Sequence, residues 1–192
     1  MKMRKMHRVL GGVLLLGLLC VPRAASAAAG TFEVSSGFSF TRSQYGDARD
    51  NWVRRWGASV GYHLTELSEI EFGFQDVFDR TKITGFEDTS FHDQIFSANW
   101  VQAFLGKAYA VQPYVKIGIG QLNRDASGIY TAFGTLPPAQ IDAVTGILGA
   151  GFRIYLTRTF GLRGEVNSYL TGGSIRTWRD NVGATLGLSV FL

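Results

Sequence analysis

Polar and apolar residues alternate with a period of two along most of this chain, and the alternation is clearest between Gly149 and Leu170. Phe152, Ile154 and Leu156 share one side, with Arg153 and Tyr155 on the other. After Thr157-Arg158-Thr159 the pattern resumes, with Phe160, Leu162, Gly164 and Val166 opposite Arg163, Glu165 and Asn167. Side chains of a β-strand point alternately to its two faces, so this stretch predicts two strands and a tight turn. The same pattern predicts further strands at 31–41, 53–64, 69–78, 91–104, 112–122 and 181–192. Phe32, Val34, Phe38 and Phe40 form the apolar set of the first, and Trp56, Ala58, Val60, Tyr62 and Leu64 that of the second. Val115, Ile117 and Ile119 oppose Tyr114, Lys116, Gly118 and Gly120 in the fifth. No ten-residue window after residue 27 reads as an amphipathic helix, and no later stretch is apolar enough to span a bilayer as one.

Eight strands of about this length suit a tilted crossing of a bilayer, which takes roughly 9–11 residues. Their connections alternate long and short. Polar segments at 43–51, 79–90, 123–140 and 171–179 separate pairs of strands that are joined by short turns near 65–68, 106–107 and 157–159. The prediction is an all-β fold: an eight-stranded antiparallel up-and-down transmembrane β-barrel, with both termini and the short turns on the periplasmic side. Closure removes the strand edges that lipid cannot satisfy. A water-soluble barrel with an apolar interior shows the same alternation with its faces exchanged.

Charge decides which face is inside. With the apolar face inward, Arg55, Glu71, Lys116, Arg153, Arg163 and Glu165 would face outward. In a bilayer each Arg or Lys so placed costs roughly 2–4 kcal/mol at the midplane. Several such costs exceed the roughly 5–15 kcal/mol that holds a domain folded. A membrane barrel therefore turns these six into its lumen, where they form a charge network, and Glu33 and Glu69 share that interior. Inward glycines (Gly57, Gly61, Gly73, Gly118, Gly120, Gly149, Gly151, Gly183 and Gly187) leave room for the long side chains. The outer face is expected to carry almost no charge over the central strand segments.

Residues 1–27 read as a secretory signal peptide. Lys2, Arg4, Lys5 and Arg8 precede the apolar run Val9 to Val21, and Ala25-Ser26-Ala27 is a small-residue cleavage site. Leu19 before Cys20, and Val21-Pro22 after it, do not fit a lipidation site. Removing the leader changes the charge. Five of the 19 Lys and Arg lie within it and none of the 15 Asp and Glu, so the exported domain, 28–192, has a net charge near −1 rather than +4. That removes the case for nucleic-acid binding. The single cysteine leaves with the leader, and no disulfide is available.

Three stretches carry a resemblance to the small outer-membrane β-barrel proteins of Gram-negative bacteria, the OmpX/OmpW/OmpA-barrel-like group. They are QPYVKIGIG at 112–120, GAGFRIYLTRTFGLRGEV at 149–166 and the terminal TLGLSVFL. The last resembles the signal read by the barrel-insertion machinery: Thr185 fills the polar position, Gly187 the glycine, and Val190 and Leu192 the apolar places. The family usually ends in Phe, whereas here Phe191 is penultimate. The resemblance implies residence in the outer membrane, contact with its lipids and lipopolysaccharide, and a monomeric barrel. It implies a structural or surface-interaction role, with a narrow channel for small hydrophobic molecules as the alternative and a lipid A-modifying enzyme as the third.

The chemistry legible in the residues is sparse. Exported histidines are His63 and His92. Ser90, His92 and Asp93 near a rim are the one constellation resembling a lipid-modifying enzyme, and the three are expected to be a chance grouping in a polar loop end. No metal-ligand spacing and no nucleotide-binding loop is present, and no cofactor is expected. An eight-stranded barrel is just wide enough for side chains to fill, so the charged lumen is expected to be a plug. The outside loops combine bases (Arg42, Arg49, Arg80, Lys82, Arg124, Arg176 and Arg179) with aromatics (Tyr45, Phe86, Tyr130, Phe133 and Trp178). The bases are expected to pair with lipopolysaccharide phosphates.

Overall fold

The computed structural model describes residues 30–45, 49–83, 88–106, 109–128, 130–131, 134–135, 139–171 and 182–192. The expected signal peptide, residues 1–27, lies outside them, as do Phe86, Phe133, Arg176, Trp178 and Arg179. Among the described residues ten strands follow one another: β1 (Phe32–Tyr45), β2 (Arg49–His63), β3 (Ser68–Ile83), β4 (Thr89–Ala103), β5 (Val111–Ser127), β6 (Tyr130–Thr131), β7 (Gly134–Thr135), β8 (Ala139–Tyr155), β9 (Phe160–Thr171) and β10 (Val182–Phe191). Eight close into an antiparallel barrel in the order β1-β10-β9-β8-β5-β4-β3-β2, and β6 and β7 form a separate two-stranded ribbon. Around the barrel each strand pairs with the next barrel strand in the chain, except at the seam, where Glu33 of β1 opposes Phe191 of β10.

The facing follows the charge argument. Ile119 is 68% exposed and Phe72 64% exposed on the outside, whereas Arg153 is 2% exposed within. Phe32, Tyr62, Ile70, Trp100 and Ile117 lie in one cross-strand row of the outer face near the short turns. The turns close on themselves: Leu64 N–H donates to the Ser68 carbonyl at 2.9 Å and Leu156 N–H to that of Phe160 at 3.0 Å.

The strands run further outward than the alternation predicts. β1 extends to Tyr45 and β2 begins at Arg49, so most of the expected 43–51 loop is ladder. β5 extends to Ser127 and β8 begins at Ala139, leaving the 123–140 connection short and partly occupied by the β6–β7 ribbon. Beyond the bilayer both faces meet water, so the period-two signal disappears while backbone pairing continues. Polar cross-strand pairs support the extension. Arg42 donates to both carboxylate oxygens of Asp50, at 3.0 and 2.6 Å, and Asn51 donates to Asp79 at 2.7 Å and Thr81 at 2.9 Å. The hydrogen bond from Arg42 holds the partly exposed Asp50 carboxyl below the usual carboxylate range.

One expectation fails on the outer face. Arg54, Asp76 and His92 lie on it, among the aromatic side chains of β1 to β4. Arg54 stands in a row with the 57%-exposed Phe40, with Phe78 and with His92. Asp76 stands one row nearer the short turns, beside Trp56 and Gln94. The predicted strand at 69–78 rests on Ile70, Phe72 and Phe74, and the alternation breaks at the next outward position.

Candidate functional site: the charged floor of the lumen

Inward side chains of seven strands meet in the half of the barrel nearer the short turns. Glu33 comes from β1, His63 from β2, Glu69 and Glu71 from β3, Tyr114 and Lys116 from β5, Arg153 from β8, Arg163 and Glu165 from β9, and Ser189 from β10. They share the interior because each sits in phase with an inward neighbour: Lys116 opposes Gly149, and Arg163 opposes both Arg153 and Gly187. All the network carboxylates except Glu165 are essentially inaccessible to solvent.

The network has two linked halves. In the lower half the Arg153 guanidinium lies between Glu33, at 2.9 Å, and Glu69. His63 Nε2 stands 3.3 Å from Glu33 and 4.0 Å from Glu69, and Ser189 donates to Glu33 at 2.7 Å. In the upper half Arg163 reaches Glu71 at 2.5 Å and Glu165 at 2.6 Å, while Lys116 reaches the same two carboxylates at 2.8 and 2.6 Å. Arg163 also lies 3.5 Å from Glu33, which joins the halves. Tyr114 sits between the two arginines, whose guanidinium carbons are 4.7 and 5.2 Å from its ring centre. Its hydroxyl donates to Glu165 at 2.7 Å and accepts from Arg163 at 2.8 Å.

Glycine makes the floor possible. A Cβ on Gly61 would overlap the Glu69 carboxylate, and one on Gly151 would lie 2.5 Å from the Tyr114 hydroxyl. Aromatic rings seal the lower end: Tyr155 and Phe191 pack at 5.2 Å between ring centres, and the Tyr155 hydroxyl donates to Gln112 at 2.8 Å. Above the floor the interior is not completely filled. A chamber of about 80 Å³ remains there, lined by Ser35, Ser59, Gly73, Ser97, Gln75 and Tyr169 among others. Beyond it, toward the outer mouth, the buried inward side chains Val77, Ile95, Leu122 and Ile147 occupy the interior.

Of the six residues expected to form the network, the structure brings together Glu71, Lys116, Arg153, Arg163 and Glu165. Arg55 stands apart. It points inward, but near the outer mouth, where it packs on Gly183 and donates to the Val182 carbonyl at 3.4 Å. Its strand position is eight residues from His63, so the tilt carries it past the floor. Glu33 and Glu69 join as their inward positions imply. His63 and Tyr114 complete the site, and their in-phase positions on β2 and β5 are the signal by which the sequence marks them. Glu33, His63 and Glu69 present ligand atoms within 4.8 Å of one another, a spacing compatible with a metal ion. The Arg153 guanidinium already pairs with both carboxylates there, with Arg163 also near Glu33, and would repel a cation placed among them, so these residues do not fit a divalent cation.

The rim constellation does not assemble. His92 faces outward and contacts Asp76 at 2.7 Å. Asp93 faces inward and binds Arg124 through two hydrogen bonds, at 2.7 and 2.6 Å. Ser90 pairs with Ser127 at 2.7 Å. Arg124 accordingly points into the mouth of the lumen rather than toward lipopolysaccharide. At the chain end Val190 and Leu192 lie on the outer face, while Thr185 and Gly187 line the chamber.

A family model for the outer membrane protein beta-barrel domain matches residues 11–189. The chain belongs to this outer-membrane β-barrel family. It accordingly resides in the bacterial outer membrane. Solved structures agree on the fold. The N-terminal β-barrel domain of Pseudomonas aeruginosa OprF matches with a TM-score of 0.57 at 17% identity, covering 85% of this chain and 98% of that one. Pseudomonas aeruginosa OprG gives 0.60 at 14% identity, covering 88% and 98%. Ail of Yersinia pestis gives 0.51 at 15% identity, covering 85% and 99%. No curated protein matches the chain.

Removing only the Tyr114 hydroxyl isolates one link. Tyr114→Phe leaves Arg163 short of an acceptor and Glu165 short of a donor, inside a buried network. Such losses cost about 1–3 kcal/mol. The expected result is a lowered urea midpoint of the barrel refolded in vesicles, followed by tryptophan fluorescence. An unchanged midpoint would show that the bridge contributes nothing.

Proposed function

We propose that this protein is a sealed, non-enzymatic outer-membrane barrel, a monomer that serves envelope structure and surface interaction through its outer loops. One observation carries the reading: Arg153 and Arg163, each buried and paired with carboxylates on β1 and β3, cross the lumen above a Tyr155–Phe191 seal. A solute entering the chamber from outside meets ion pairs whose separation would leave buried charge unpaired. The failure of Ser90, His92 and Asp93 to converge supports the absence of catalysis at that rim.

The partners fit the location. Outer-membrane lipids surround the apolar face, and lipopolysaccharide meets the rim. Arg42 and Arg80 are engaged by Asp50 and Asp88 and are turned to those carboxylates rather than to its phosphates. Thr185, Gly187, Val190 and Leu192 serve as the signal to the insertion machinery.

Planar-bilayer recording of the refolded mature chain tests the seal. We expect no steady conductance in molar KCl for the native chain, and step openings after Arg153→Ser with Arg163→Ser. Sustained native conductance with defined steps would overturn the plug and favour a narrow channel.

A further inference from the structure

The ion cluster on the lipid-facing surface has no part in the plug. Asp76 is its centre: His92 Nε2 lies 2.7 Å away, and Arg54 Nη2 lies 3.8 Å away on the other side. Phe78 stands over it, with the Arg54 guanidinium and the His92 ring each 6.0 Å from its ring centre. Trp56, Phe74 and Phe96 are in ring contact below, at 5.8 and 4.9 Å. Phe40, Trp52 and Phe78 are in contact above, at 6.3 and 5.3 Å.

Depth makes this placement costly. A strand tilted by about 40° rises roughly 2.5 Å per residue along the barrel axis. Asp76 is six residues above Ile70 of the lower aromatic row, so it stands about 15 Å up an apolar band about 25 Å tall. Asp76 thus lies in the outer-leaflet half of the band, and Arg54, opposite Phe78 and so eight residues above Ile70, stands about 20 Å up it, within a long side chain's reach of the acyl-to-headgroup boundary and beneath the ion pairs of the rim.

Arg54 is the unusual member. Among the described residues it donates no hydrogen bond, and its side chain is half exposed. Arg42 and Arg80, on the same face but nearer water, each donate at least two charge-assisted bonds to a carboxylate. A long cation can reach upward to water. Arg54 instead extends toward Asp76, one row nearer the membrane centre. Five donors then face a region where water is scarce. His92 fills one oxygen of Asp76 and holds the carboxylate in place, so Arg54 is oriented without being consumed.

We propose that Arg54, positioned by Asp76 and His92, binds the phosphate of an outer-leaflet lipid whose acyl chains lie over Trp56, Phe74 and Phe96. The planar guanidinium matches phosphate through two parallel bonds, and the aromatic row supplies the apolar floor for the chains. This rests on the lipopolysaccharide contact proposed above, but it places that contact at one point on the barrel wall. A failure here would leave the sealed lumen untouched.

The test is native mass spectrometry of the refolded mature chain in detergent, titrated with hexa-acylated bis-phosphorylated lipid A and with the same lipid dephosphorylated. The native chain is expected to retain the phosphorylated lipid about tenfold better. Arg54→Gln should reduce retention to the dephosphorylated level, Arg54→Lys should restore part of it, and Arg42→Gln should leave it unchanged. Equal retention of the two lipids by the native chain would overturn the proposal, and this comparison needs no variant to fold. Equal losses from Arg42→Gln and Arg54→Gln, or full competition by millimolar inorganic phosphate alone, would also overturn it. So would a native dimer that Arg54→Gln dissociates, because a second copy would then occupy this surface.

Discussion

Replacing Arg163 with methionine is expected to destabilise the barrel by about 3–5 kcal/mol, the loss typical of removing one partner from a buried ion network. The size follows from what is left behind. Arg163 serves Glu71 at 2.5 Å, Glu165 at 2.6 Å and Glu33 at 3.5 Å. Without it, Lys116 alone faces Glu71 and Glu165, and Glu33 keeps only Arg153 and His63 as charged or chargeable partners. The unpaired charge, more than the lost attraction, sets the cost. Neutralising the acids should therefore recover most of it: Arg163→Met with Glu71→Gln and Glu165→Gln is expected to regain at least half. Urea unfolding in phospholipid vesicles, read by tryptophan fluorescence and by the mobility difference between unheated and boiled samples, measures both. A loss below about 1 kcal/mol would mean that water already screens the network. A triple variant no better than the single one would mean that Arg163 acts through packing.

The facing of this network is legible in the sequence because two independent requirements coincide. Period-two alternation groups Tyr114 with Lys116, Arg153 with Tyr155, and Arg163 with Glu165, and lipid forbids turning those groups outward. Partnership is not legible in the same way. Arg153 and Glu33 are 120 residues apart, and the strand stagger that brings them to one height leaves no mark on either strand. The same stagger lifts Arg55 out of the network that its inward phase suggests. Strand ends escape the pattern for another reason: at Arg124 and Asp93, or Arg42 and Asp50, both faces meet water and alternation ceases to report pairing. Arg54, Asp76 and His92 break the expected charge-free outer face because a rule about average cost says nothing of three polar residues that satisfy one another. Such local violations of a global pattern are where function tends to concentrate, and it is there that the lipid phosphate is placed.

Gly187→Ala is expected to impair closure of the barrel more than any other single methyl addition on β10. The seam joins the first and last strands, and there Gly187 opposes Gly37. A Cβ on Gly187 would overlap the Ser36 carbonyl oxygen and lie 2.6 Å from Gly37 Cα. Both are backbone atoms, so no side-chain rotation can relieve the clash, and the two strands must separate or shift register. Overpacking of this kind typically costs about 1–3 kcal/mol. Here a one-residue register shift would also exchange the lumen and lipid faces of β10. It would turn Ser189 outward, away from Glu33, and Val190 inward. The expected observation is a slower and less complete appearance of the heat-modifiable form on refolding into vesicles, with a lowered urea midpoint for what does fold. Gly183→Ala is the comparison. Its added Cβ meets the flexible Arg55 side chain, 2.7 Å from Nε, and that side chain can move aside. Equal effects of the two substitutions would remove the seam from the argument. A severe effect of Gly187→Ala alone would show that closure depends on two facing glycines at the join.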